Sequence, residues 1–260
     1  MPEPGRLTHP SPNFGDRRHG VSPRLVVLHY TGMATAEAAV DRLRDPATEV
    51  SAHYLISETG ALYSLVRESK RAWHAGVGRW GGITDINSNS IGIELANSGS
   101  DGGFPPFPEP QMAVLEDLLA GILSRWNLGP EHVIGHSDMA PGRKPDPGPA
   151  FDWRRLAHSE LSIWPSDEPT GLPGRSAAGP GANRVDVNAA FRSAASAFGY
   201  SPITDDNDGW RHVLVAFRTR FRTGPLVTAG VVATPAAPDI VAARDLAFRY
   251  PVRKPGSGLL

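Results

Sequence analysis

The stretch RLVVLHY, Arg24 to Tyr30, sets four consecutive apolar residues directly before a histidine. A short unbroken apolar run of this kind is expected of a central strand buried on both faces of a sheet. The elements around it follow the same logic. Thr35 caps a helix that carries Ala36, Ala39, Val40 and Leu43 on one face and stops before Pro46. SAHYLIS and ALYSLV flank ETG and predict a hairpin with Gly60 in the turn. SIGIELAN, residues 90–97, predicts another strand that alternates around Ile91, Ile93 and Leu95. Between Glu109 and Trp126, Met112, Leu115, Leu119, Ile122 and Trp126 recur at helical spacing, with Gly129 as the stop. HVIG is a last short strand. Strands and helices alternate, so the class is α/β, with a central mixed sheet flanked by helices.

That last strand leads into GHSDMAPGRKPDPGPAFDW, residues 135–153, whose four prolines and three glycines make it a shaped loop. His136 and Asp146 on one loop can share a metal ion, and Lys144 puts a positive charge beside it. A catalytic zinc site needs a third protein ligand and an open position for water. His29 ends the buried strand, and sites in open α/β sheets gather outside strand ends, so His29 is the candidate third ligand. Two imidazoles and a carboxylate, with no thiolate, suit Zn²⁺ in a catalytic site. Glu94, a charge within a strand flanked by Ile and Leu, is the candidate acid/base. Taken singly, each residue has an ordinary reading. A histidine at a strand end can be a hydrogen-bonded core residue, and His136, Asp146 and Lys144 fit turn chemistry and a solvated charge.

The chain has 260 residues, is 40% hydrophobic and carries a formal net charge of -1. That length accommodates one large domain, or one medium domain plus a small one. Near-neutral charge argues against a nucleic-acid partner. The absence of cysteine excludes disulfides, thiolate metal sites and lipid attachment through a cysteine. The first twenty residues contain no apolar run, and no stretch approaches the roughly 18 apolar residues of a membrane span. The expectation is a cytoplasmic protein without a membrane partner.

After WPSDEP comes TGLPGRSAAGPGAN, a composition typical of linkers. Three helical patterns follow, at 187–198, 210–222 and 238–250. The expected division is a catalytic domain at 1–164, a linker at 165–183 and a small helical domain at 184–260.

Together, VVLHYTG, SAHYLIS, AWHAG, SIGIELAN and the 135–153 loop resemble the zinc-dependent N-acetylmuramoyl-L-alanine amidases (the type 2 amidases), whose fold is shared with the peptidoglycan-recognition proteins. The motifs run in the family's order over residues 24–164. The resemblance implies one zinc per chain, held by His29, His136 and Asp146. It implies Glu94 as catalytic acid/base and Lys144 as the residue that stabilises the transition state. Tyr54 matches a tyrosine that assists catalysis in phage relatives lacking the glutamate, and His74 and Asn97 fall where the family lines its substrate groove. The reaction implied is hydrolysis of the amide between N-acetylmuramic acid and L-alanine. The wording is closest to the branch of periplasmic lipoprotein and cytoplasmic recycling amidases, so soluble muropeptides, including 1,6-anhydro forms, are the expected substrates. In that branch the C-terminal region is a three-helix peptidoglycan-binding-like domain. GWRHVLVAFRTRFR resembles its middle helix, with Val213, Phe217 and Phe221 inward, whereas TGPLVTAGVVATPAAPD departs from its usual loop.

Two other readings compete. One is a non-catalytic recognition module of the same fold, although such proteins typically lose a zinc ligand. The other is a glycosidase that pairs Glu94 with Glu58 or Asp138, which leaves the histidines and Lys144 without a role.

Overall fold

Leu25, Val26, Val27 and Leu28 are each at most 3% exposed, as a strand covered on both faces requires. The structure, a computed structural model, describes residues 8–166, 186–221 and 234–252. Its strands are β1 (Phe14–Asp16), β2 (Leu25–Tyr30), β3 (Tyr54–Ile56), β4 (Leu62–Ser64), β5 (Lys70–Ala72), β6 (Ser90–Leu95) and β7 (Val133–Gly135). Its helices are α1 (Ala36–Arg44), α2 (Ile86–Asn89), α3 (Glu109–Trp126), α4 (His136–Met139), α5 (Trp153–His158), α6 (Val187–Phe198), α7 (Asn207–Phe221) and α8 (Ala237–Arg249).

The main sheet runs β4-β3-β6-β2-β7. β3, β6, β2 and β7 are parallel, and β4 returns antiparallel from β3. The sheet is therefore mixed, as expected. A second ribbon, β1 with β5, lay outside the strand patterns read from the sequence. Strand side chains alternate between faces, so Val26 and Leu28 join Ile91, Ile93 and Val133 against α3. The opposite face carries Leu25, Val27 and Ile134, which share one apolar core with Phe191, Val213, Phe217 and Leu246 of α6–α8. α1 covers Leu55 and Ala96 on the same side.

The local signals hold with two adjustments. Thr35 caps α1 by accepting from the Ala38 N–H, and Gly60 sits at φ 85 in the hairpin turn. α3, however, ends at Asn127 rather than Gly129. Asn127 takes φ 52, and its N–H meets the Leu123 and Ser124 carbonyls. α7 starts three residues before Trp210, where the Asp206 carboxylate accepts from the Gly209 N–H. Val213, Phe217 and Phe221 face inward as expected. The expected linker lies outside the described residues except for Pro165 and Ser166, as does 223–233 of the segment before α8. Among the described residues, no helix is long and apolar enough to cross a membrane.

One charged group ties α3 to the sheet. Glu68 is fully buried and accepts from the Tyr54 hydroxyl at 2.7 Å, Trp126 Nε1 at 2.6 Å and Arg125 Nη2 at 2.5 Å. Burial alone would raise its pKa, but the hydrogen bonds from Arg125, Tyr54 and Trp126 outweigh burial and hold the carboxyl below its ordinary value. A carboxyl depressed in the native state stabilises above its unfolded pKa and loses that contribution as pH falls through the native value. Glu68→Gln should therefore cost about 2 kcal/mol at neutral pH. The deficit should shrink as pH drops below the ordinary value of 4.5. Urea unfolding of both proteins at pH 7 and in acid checks this, and a pH-independent deficit would contradict it.

Candidate active site

Strand register assembles the site before any side chain is considered. In the β2–β6 ladder His29 is the partner of Glu94, and in the β2–β7 ladder Leu28 is the partner of Gly135. His29 and Glu94 thus stand abreast on one face, and His136 begins α4 immediately beyond the neighbouring strand. Ser137 N–H donates to the Asp146 carbonyl at 2.8 Å, which folds the loop back over the strand ends.

His29 Nδ1, His136 Nδ1 and Asp146 Oδ2 form a near-equilateral triangle with edges of 2.8, 3.0 and 2.9 Å. All three side chains are buried. Hydrogen bonding assigns the tautomers. The Ser90 hydroxyl donates to the Ile86 carbonyl at 2.7 Å, so Ser90 Oγ accepts from His74 Nε2–H at 3.1 Å. His74 Nδ1 then accepts from His29 Nε2–H at 2.9 Å, which leaves the His29 Nδ1 lone pair facing the triangle. His136 Nε2–H donates to the Ala75 carbonyl at 2.9 Å, and Arg143 Nη2 donates to the same oxygen at 2.5 Å. The His136 Nδ1 lone pair therefore also points inward. Two lone pairs and a carboxylate oxygen this close repel unless a cation lies among them, so the three residues form a group able to hold a metal ion.

The electrostatics agree with that arrangement. Burial lowers the His29 pKa to about 4 and holds His74 well below its ordinary value. Both rings are neutral at pH 7, as ligation by an imidazole lone pair requires. Glu94 moves the other way. Burial first and the Asp146 charge second push it well above the ordinary carboxylate value, against the opposing pull of Lys144. Its buried Oε2 has no hydrogen-bond partner among the described residues.

A cleft of about 410 Å³ opens over this group, lined by His29, His74, Glu94, His136, Lys144 and Asp146. Arg143 and Trp73 also line it and were not singled out in the sequence. Arg143 adjoins Lys144 in GRKPD, the one signal that marked it. His74 supports His29 from behind, in space that Gly92 leaves open: a Cβ at Gly92 would sit 2.4 Å from the His74 ring. Tyr54 is not brought to the cleft, because its side chain lies on the α3 face with its hydroxyl on Glu68. Asn97 spends its amide on the adjoining loop, donating to the Pro105 carbonyl and accepting from the Gly99 N–H. Glu58 and Asp138, the partners a glycosidase would need, do not line the cleft. Asp138 is instead held by Tyr200 and Arg220.

Comparison with known proteins places this geometry. Residues 19–149 match the family model described as N-acetylmuramoyl-L-alanine amidase. N-acetylmuramoyl-L-alanine amidase AmiD of Escherichia coli is 36% identical over 214 residues, which cover 76% of this chain and 75% of AmiD. The 1,6-anhydro-N-acetylmuramyl-L-alanine amidase AmpD of Enterobacter cloacae is 33% identical over 170 residues, covering 59% of this chain and 88% of AmpD. The structure of Escherichia coli AmiD in complex with the substrate anhydro-N-acetylmuramic acid-L-Ala-D-gamma-Glu-L-Lys superposes with TM-score 0.73 at 31% identity, covering 94% of this chain and 93% of that one. AmpDh3 of Pseudomonas aeruginosa in complex with anhydromuramic pentapeptide gives TM-score 0.73 at 31% identity, covering 90% and 94%.

The hydrogen-bond chain from Ile86 to His29 fixes a protonation pattern that can be read directly. Long-range ¹⁵N–¹H correlation spectra at pH 7 should show His29 and His74 as Nε2–H tautomers. An Nδ1–H signal from either ring would refute the assignment.

Proposed function

Because the chain belongs to the N-acetylmuramoyl-L-alanine amidase family, we propose that it cleaves soluble muropeptides at a single zinc ion held by His29, His136 and Asp146. The chain is an amide hydrolase, and the bond is the one joining N-acetylmuramic acid to L-alanine. The observation that carries the site assignment is the buried triangle of two imidazole lone pairs and one carboxylate oxygen. The donor set fits zinc: tetrahedral sites take neutral imidazole and carboxylate at bonds of about 2.0–2.2 Å. Those lengths separate ligand atoms by about 3.3 Å, a small expansion of the observed triangle.

A bound zinc supplies a Lewis acid that polarises the scissile carbonyl and makes water acidic near neutral pH. The remaining roles fall to the chain's own residues. Glu94, raised well above its ordinary range beside the triangle, can take a proton from the attacking water and pass it to the departing amine of L-alanine. Lys144 lines the same cleft and offers its ammonium to the oxyanion that develops on the carbonyl. His74 keeps the His29 lone pair aimed inward, a positioning role beside the groove-lining one expected from the sequence. Tyr54 and Asn97 have no part in this mechanism. Residues 8–164 form the proposed catalytic unit, with the helices from 187 onward packed against it.

The 1,6-anhydro muropeptides are the proposed substrates, in line with those bound by the two structural neighbours, and a cytoplasmic location goes with soluble fragments of this kind. Recovery of the protein in a membrane or periplasmic fraction would overturn the proposed compartment.

Metal analysis after dialysis should find one zinc per chain in the wild type and none in His136→Ala. Glu94→Gln should keep its zinc while kcat falls by about 10²–10⁴. Full turnover by Glu94→Gln would remove it from the mechanism. Mass spectrometry should detect free L-alanyl peptide from anhydro-muropeptide, released faster than from intact sacculi. Cleavage of the glycan with the lactyl amide intact would overturn the reaction.

A further inference from the structure

Asp138 lies two residues after His136, within the same single-turn helix α4, and is completely buried. Its Oδ2 accepts from the Gly135 N–H at 2.7 Å, which fixes the backbone where β7 turns into α4. The other contacts of this carboxylate come from the C-terminal helices. Arg220 of α7 donates from Nη1 to Oδ2 at 2.7 Å, and the Tyr200 hydroxyl, just after α6, donates to Oδ1 at 2.5 Å. Arg220 is 1% exposed and also donates from Nη2 to the Val133 carbonyl at 2.8 Å, at the start of β7. Its guanidinium lies 4.4 Å from the Trp153 ring centroid and 4.8 Å from that of Phe221. The guanidinium therefore holds both the strand before His136 and the helix turn after it.

α7 reaches the metal loop at a second point. A Cβ on Gly142 would lie 2.4 Å from His212 Nδ1, so the loop that carries Lys144 and Asp146 rests directly on the helix. His212, Val215 and Thr219 also line a cavity of about 570 Å³ together with Lys144 and Pro145.

A fully buried arginine–carboxylate pair is weak evidence for stability, because desolvation offsets most of the attraction, and its best-attested use is to fix one arrangement. Here the arrangement it fixes is the backbone on either side of His136. We propose that Arg220, seconded by Tyr200, is a positioning residue for the metal site. In this reading the C-terminal helices serve as a brace that holds His136 in register with His29 and Asp146. The inference rests on the assignment of His29, His136 and Asp146 as metal ligands.

The test uses the full chain and measures zinc affinity by chelator competition, thermal unfolding, and the visible spectrum of the cobalt(II)-loaded protein. Direct hydrogen-bond partners of metal ligands typically contribute 10–100-fold in affinity. Arg220 acts one contact further out, through the backbone around His136, so Arg220→Met should weaken zinc binding by about tenfold, the lower end of that range, and alter the cobalt spectrum. Arg220→Lys, which keeps the charge beside Asp138, should recover part of the loss. Tyr200→Phe, which removes one donor, should cost roughly fivefold. Phe191→Ala is the control: it opens the same helical core without touching Asp138, and should lower the unfolding temperature with zinc affinity within twofold of wild type. If Arg220→Met fails to fold, Tyr200→Phe and Arg220→Lys decide. Wild-type affinity and cobalt spectrum in the folded Arg220 and Tyr200 variants would overturn the brace. A wild type that binds no metal would instead overturn the ligand assignment itself.

Discussion

The parallel register of β2 between β6 and β7 is the constraint on which the site depends. It sets His29 abreast of Glu94 and brings His136 to the end of the neighbouring strand. A slip of β2 by one residue would turn His29 onto the opposite face, against α3 and away from Glu94. Little in β2 itself resists such a slip, because Leu25 to Leu28 are apolar on both faces. The register is held by what lies outside the strand. Gly92 must face the His74 ring, and Val26, Leu28 and Ile93 must face α3. Packing on both sides of the sheet and chemistry at its end are one requirement.

The strands and helices were legible where the signal was local. The apolar run before His29, the Thr35 cap and the periodicity of residues 109–126 each depend on neighbours a few positions away. The convergence of His29, His136 and Asp146 was legible as well, since these residues sit in distinctive words near strand ends. What could not be read was the direction of side chains in strands buried on both faces. His53 and Tyr54 are adjacent in a strand segment without polar alternation, and it is His53 that turns toward His74 while Tyr54 points to Glu68. The partners of Asn97 were hidden for a different reason: its amide is consumed by a loop whose shape no periodicity records. Arg17 and Arg220 look like surface charges in sequence and are buried, because their acceptors lie far away along the chain.

The C-terminal helices carry several such hidden pairs. Arg218 meets the buried Asp239, and Arg249 meets the buried Asp245. Asp245 also accepts from the Ser166 N–H, at the edge of the segment that leaves the sheet. Unpaired, each of these carboxylates would cost several kcal/mol to bury. Together with the apolar core common to sheet and helices, they make α6–α8 the missing layer over one face of the sheet.

That shared layer bears on how the chain is made. On the ribosome the sheet emerges before the helices that cover Leu25, Val27 and Ile134. Until α6–α8 have left the exit tunnel, that face is open and available to the wrong partners. The sheet face is thus completed only by the last part of the chain to be synthesised, and its apolar core closes late in synthesis.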